Sequence, residues 1–119
     1  QNLNPEALAE KVRQGLSRQL CEPLADAEGV IGVIGIAPEF EDALREALAH
    51  KDARLLALTR QLHAQLKQQP GRVLLCGADL RPRLRELLQR NFGHWHVLSY
   101  QEIDRLYRLE LLASLALEV

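Results

Sequence analysis

Net charge, lysine, cysteine and long apolar runs are all scarce in this chain of 119 residues, and each shortage excludes something. Fifteen Lys and Arg stand against 16 Asp and Glu, a formal net charge of -1. A protein that binds nucleic acid by neutralising phosphates usually carries a clear basic excess, so no nucleic-acid partner is expected. Lys11, Lys51 and Lys67 are the only lysines, and the arginines sit among glutamates as they do on solvated helix faces. No apolar run approaches the roughly 20 residues of a membrane span, and no signal peptide opens the chain. The chain is therefore expected to be soluble, as a whole or as a piece of something larger. Two cysteines, Cys21 and Cys76, make no disulfide framework. Cys76 ends an apolar run, where it reads as a small buried hydrophobe in a reducing compartment.

Reaction centres are missing too. The Cys76-Gly77-Ala78-Asp79 turn follows an apolar strand, where open α/β sheets often bind ligands, and a helix start there could hold an anion. It has no second glycine, lysine or hydroxyl, so it is neither a P-loop nor a dinucleotide fingerprint. Asp79 reads as the cap of its helix. His94 and His96 flank Trp95 and would project together from an extended segment. A structural zinc site wants about four ligands, and the cysteines stand at no recognised spacing. Trp95 and the two histidines are expected to cover a sheet edge instead. Ser99, Cys76, His63 and His50 lack any nucleophile elbow. No catalytic residue, cofactor site or metal site is expected, and the function should be carried by surfaces.

What is present is patterned leucine and short β-branched runs, in a chain that is 47% hydrophobic and long enough for one compact domain or two very small ones. Asn4-Pro5 starts a helix with Leu8, Val12, Leu16 and Leu20 on its apolar face, ended by Pro23. Val30–Ile36 is a buried strand in which Gly32 and Gly35 leave room for close packing. Pro38 opens a second helix along Phe40, Leu44 and Leu48. A third carries Leu55, Leu58, Leu62 and Leu66 and stops at Pro70-Gly71. Residues 72–76, 79–91 and 96–100 form a βαβ unit, with Leu80, Leu84, Leu87 and Leu88 striping its helix. From Tyr107 the chain alternates: Tyr107, Leu109, Leu111, Ala113, Leu115 and Leu117 point one way. That is the period of a half-buried strand, taken as antiparallel. The fold class is α/β (α+β): a mixed four-stranded sheet with packed helices. A helical lobe with one strand over 1–70 would precede an α/β subdomain over 71–119.

Four phrases then stand in order: Val12–Leu20, Gly29–Glu41, Leu74–Arg85 and Val97–Ile103. They resemble a VR-x-x-LSR helix, an LDPELE strand-to-helix junction, a pDiR-x-x-LR turn and helix, and a VLSYxEI strand end. Together they resemble the C-terminal cytoplasmic region of the type III secretion export-gate family (FlhA/SctV type) over roughly residues 11–117. Ala37 departs from the usual Asp before Pro38, which removes a side-chain cap, and Gly77-Ala78 replaces a small residue plus Pro. Gln101 leans toward the injectisome branch. The resemblance implies the cytoplasmic part of a bacterial inner-membrane protein, joined to the membrane only through an absent N-terminal half. It implies a homo-oligomeric ring, usually of nine, that receives chaperone–substrate complexes and contacts the ATPase stalk, without enzymatic activity. On that basis Glu10, Arg13 and Arg18 are candidate subunit contacts, and Arg81, Arg85 and Glu102 candidate partner contacts. The rival reading is a small nucleotide or phosphate binder using the Gly77–Asp79 turn.

Overall fold

The computed structural model describes residues 4–118. The Asn4 side chain accepts the Ala7 N–H at 2.7 Å and Pro5 takes the first helical position, so α1 (Pro5–Gly15) begins where the sequence places it. The expected continuous helix is interrupted after Gly15. Leu16 sits at φ -106°, ψ 22°, and the chain restarts as α2 (Ser17–Cys21), followed by a 3-10 turn over Glu22–Leu24. Glycine is a poor helix former, and the break falls beside it. Asp26 then turns the chain: its Oδ1 accepts the N–H groups of Glu28 (2.8 Å) and Val30 (3.0 Å) while Gly29 takes a φ of 78°.

The rest alternates strand and helix: β1 (Val30–Ile36), α3 (Pro38–His50), α4 (Arg54–Leu66), β2 (Val73–Cys76), α5 (Arg81–Leu88), β3 (His96–Ser99) and β4 (Arg108–Leu115). The strands make one sheet in the order β3-β2-β1-β4. Each neighbouring pair is parallel, with registers such as Ile34 to Leu74, Leu74 to Val97 and Val30 to Arg108. Successive crossovers that step in one direction place α3, α4 and α5 on the same face. There Phe40, Leu44, Leu58, Leu62, Leu66, Leu84 and Leu88 close a core with Ile34, Ile36, Leu74, Val97 and Leu115. The opposite face is thinner: Ile31, Val33, Val73, Leu75 and Leu98 meet Cys21, with Leu24, Ala25, Ile103 and Tyr107 at its margin.

β4 corrects the expected antiparallel strand and, with it, the mixed sheet. A period of two reports that a segment is extended and half-buried, not which way its neighbour runs. Direction is decided by residues 100–107. After β3 ends, this stretch crosses the thin face, packing Ile103 and Tyr107 into it, and delivers Arg108 to the start of β1. There the Arg108 N–H donates to Gly29 O at 2.8 Å. The alternation is also broken, because the β1–β4 register shifts between Val33 and Ile34: Leu111 pairs with Val33 but Ala113 with Ile34. This bulge changes phase, so Tyr107 joins the thin face while Ala113, Leu115 and Leu117 join the α3–α5 core.

The room left by the two strand glycines is used by β4. A Cβ on Gly32 would lie 3.0 Å from Leu112 Cδ1, and one on Gly35 would lie 3.1 Å from Leu111 Cδ1. Beyond β4, two glutamines of α4 act as a surrogate strand. Gln65 exchanges hydrogen bonds with both Ala116 N–H and O (3.1 and 2.8 Å), and Gln61 does so with Glu118 N–H and O (2.9 and 3.0 Å). The boundary expected at residue 70 runs through this sheet, since β1 lies between β2 and β4.

Candidate functional site

Helix α1 is amphipathic, yet it presents its polar side to the body. Glu10 is its buried residue, whereas Leu8 (53%), Val12 (56%) and Leu16 (45%) remain exposed. At 3.6 residues per turn, Leu8, Val12 and Leu16 line one stripe, with Glu10 roughly opposite and Arg13 at its flank. The docking contacts are ionic. Glu10 receives the Arg81 Nε–H through both oxygens, at 3.1 and 3.0 Å, and Arg13 Nε–H donates to Glu102 Oε2 at 2.7 Å. Glu102 is fully buried, and its other oxygen accepts the Ser99 N–H at 2.8 Å. Glu102 O also accepts from the Cys21 thiol at 3.3 Å.

The candidate residues therefore meet one another. Glu10 and Arg13 from the expected subunit contact pair with Arg81 and Glu102 from the expected partner contact. Spacing could not reveal this, because the partners lie 71 and 89 positions apart. Arg18 alone of the first group is exposed.

Arg85 sits one turn after Arg81 on α5, and both guanidiniums turn toward β3. In a parallel strand alternate residues direct their backbone groups to one edge. Arg81 Nη1 donates to Val97 O at 3.0 Å, and Arg85 donates to Trp95 O and Gly93 O at 3.3 Å each. These bonds occupy the carbonyls that an added strand would need. Beside them lies a cavity of about 240 Å³ lined by Arg13, Arg81, Arg85 and His96 among Leu20, Leu24, Trp95 and Leu98. Trp95 itself is 4% exposed and belongs to the core under α3–α5, while His94 and His96, expected to cover a sheet edge with it, are exposed.

The Gly77 turn is occupied by the protein's own acids. Gly77 N–H donates to Glu41 Oε2 at 3.0 Å. Asp79 does not cap its helix through its side chain; Leu80 holds that position, and Arg45 grips Asp79 through Nε (2.7 Å) and Nη2 (3.1 Å). The Arg45 hydrogen bonds hold the Asp79 carboxyl below its usual range. A Cβ on Gly77 would stand 2.6 Å from Arg45 Nη2 and 2.9 Å from Asp79 Oδ1, so a side chain there would displace that ion pair. With Glu41, Asp42 and Asp79 gathered around Arg45, a phosphate would meet carboxylates where it needs donors. Sequence reading missed Arg45 because its partner is 34 residues away.

Both cysteines are buried, and burial pushes both thiols above their ordinary range. Among the described residues, no three His, Cys, Asp or Glu side chains gather as metal ligands, and no helix is long and apolar enough to cross a membrane.

With this geometry in place, comparison with known proteins is informative. The profile of the FHIPEP family matches residues 1–108. MxiA of Shigella flexneri is 28% identical over 91% of this chain, which spans 18% of that protein. The solved structure of Shigella flexneri MxiA superposes with a TM-score of 0.82 at 27% identity, covering 96% of this chain and 39% of that one. The cryo-EM structure of nonameric EPEC SctV-C gives a TM-score of 0.77 at 23% identity, with 95% of this chain and 37% of that one covered. The Chlamydia pneumoniae CdsV and CdsO complex gives 0.73 at 23%, covering 94% and 37%. At that identity these last two establish likeness of fold. The parallel sheet, the helix order and the family match converge: this chain belongs to the FHIPEP family, as a C-terminal domain of an injectisome-type type III secretion export gate.

Proposed function

We propose that this chain works by contact rather than by chemistry. It forms part of a homo-oligomeric export-gate ring and docks chaperone–substrate complexes and stalk components at the cytoplasmic side of a bacterial inner membrane. The observation that carries this reading is the orientation of α1. Its ionic side is satisfied within the chain, while Leu8, Val12 and Leu16 face outward with Arg18 close by in sequence. Burying an aliphatic side chain is worth about 1.5–3 kcal/mol, so an exposed stripe of three favours association. The relative SctV-C is nonameric and CdsV forms a complex with CdsO, which supports self-association and a protein partner here.

Sedimentation velocity over a wide concentration range tests it. The wild-type chain should show concentration-dependent oligomers, and Leu8→Ser with Val12→Ser should shift them to monomer while circular dichroism stays unchanged. A wild-type chain that remains monomeric at the highest concentration, and a double variant indistinguishable from it, would overturn the ring contact.

A further inference from the structure

The cavity beside β3 has a lining that selects a ligand class. Its charged side chains are Arg13, Arg81 and Arg85, joined by the imidazole of His96. Among the described residues no carboxylate lines it: Glu10 of α1 and Glu102 of the turn after β3 engage Arg81 and Arg13. Each of those pairings uses the Nε edge. A guanidinium carries five N–H donors, so Arg13 keeps both terminal nitrogens and Arg81 keeps Nη2 beyond the bonds described. Among the described residues Arg85 faces no carboxylate partner and holds two carbonyls at 3.3 Å. The site is thus built for a negative group, and bidentate carboxylate recognition is what such forks do best.

The remaining wall is apolar: Leu20, Leu24, Trp95, Val97 and Leu98. Free phosphate would leave that surface unused. A volume of about 240 Å³ admits one acidic side chain and part of its apolar neighbour, not a nucleotide or a folded element. Strand addition is blocked, because Arg81 and Arg85 already hold the outward carbonyls of Val97 and Trp95. We infer that this cavity receives a glutamate or aspartate side chain from an acidic, leucine-flanked segment of a partner protein. The inference rests on the docking role proposed above and gives that role a chemistry: Arg85 is its specificity residue, with Arg13 and Arg81 as charged walls.

Trp95 is the single tryptophan of the chain and lines the cavity, so its fluorescence reports occupancy directly. The probes are the peptide Ac-Leu-Glu-Leu-NH2, its Gln counterpart, and inorganic phosphate. The acidic peptide should give a saturable change, and the Gln peptide should not. Arg85→Gln should weaken the acidic peptide about tenfold or more. Arg85→Lys should recover part of the affinity, and Arg60→Gln, an exposed arginine outside the cavity, should leave it unchanged. Equal response to the Gln peptide would overturn the inference in favour of a merely apolar groove. Phosphate binding as tightly as the acidic peptide would overturn it in favour of a free-anion site. An absent response, or one untouched by Arg85→Gln in a chain with native circular dichroism, would overturn it as well. Because none of these readouts depends on oligomerisation, they fail independently of the sedimentation test.

Discussion

The two faces of the sheet are held by different forces. Toward α3, α4 and α5, the strands meet interlocking leucines with Phe40, Phe92 and Trp95, nearly all of them buried. Toward α1 and α2, six buried residues make a thin apolar layer, and the helix above it is fixed by Glu10–Arg81 and Arg13–Glu102. Apolar contact is non-directional and grows with the area buried, whereas a buried ion pair depends on both partners being present, since losing one leaves the other charge buried and unpaired. The difference assigns two duties: the thick face holds the fold, and the thin face positions α1, whose leucines point away from the body. A region attached by charge can present an apolar stripe outward without collapsing onto its own core.

The comparison breaks most visibly at the thick face. Phe40→Ala, at a fully buried position, should cost about 3–5 kcal/mol, read as a lowered urea midpoint at unchanged slope. Next, Glu102→Ala removes the partner of Arg13 and the acceptor of Ser99 N–H together, at a cost of about 3 kcal/mol. If the faces differ as described, hydrogen exchange in Glu102→Ala should rise in α1 and α2 well before it rises in α3 and α4. Uniform acceleration would erase the distinction.

Smaller effects sharpen it. Ala37 is the N-cap of α3, with extended backbone (φ -58°, ψ 143°) and no side-chain cap. Ala37→Asp should therefore raise stability by about 1 kcal/mol, measured as a higher denaturant midpoint. The acid contact between Arg45 and Asp79 ties the thick-face helix α3 to the Gly77 turn. Because Asp79 titrates below its usual range when folded, its contribution is present at neutral pH and fades as pH falls through the folded value. In Arg45→Ala the Asp79 carboxyl should titrate higher, near the ordinary range, by NMR. An unmoved titration would mean that Arg45 is not its cause. Finally, buried Cys21 and Cys76, with thiols raised by burial, should resist a thiol reagent until the chain unfolds.

Local chemistry fixed much of this in advance. Asn4-Pro5, Pro38 and Pro70-Gly71 mark helix ends, and the leucine spacing chose the buried sides of α3, α4 and α5. Val30–Ile36 and Val73–Cys76 could hardly be other than buried strands. These features depend on neighbours within a few residues, so order along the chain suffices to read them, and the four phrases that resemble the export-gate family are likewise linear. Tertiary structure alone decided what joins distant positions. It ran β4 parallel to β1, because residues 100–107 cross the thin face before pairing begins. It turned α1 over, since Arg81 and Glu102 offered charge where the leucine stripe proposed packing. It gave Arg45 to Asp79 and placed Arg85 beside Trp95, along a cavity that exists only once α2, α5 and β3 converge. Periodicity encodes which residues avoid water; it does not encode which charge, tens of residues away, will arrive to meet another.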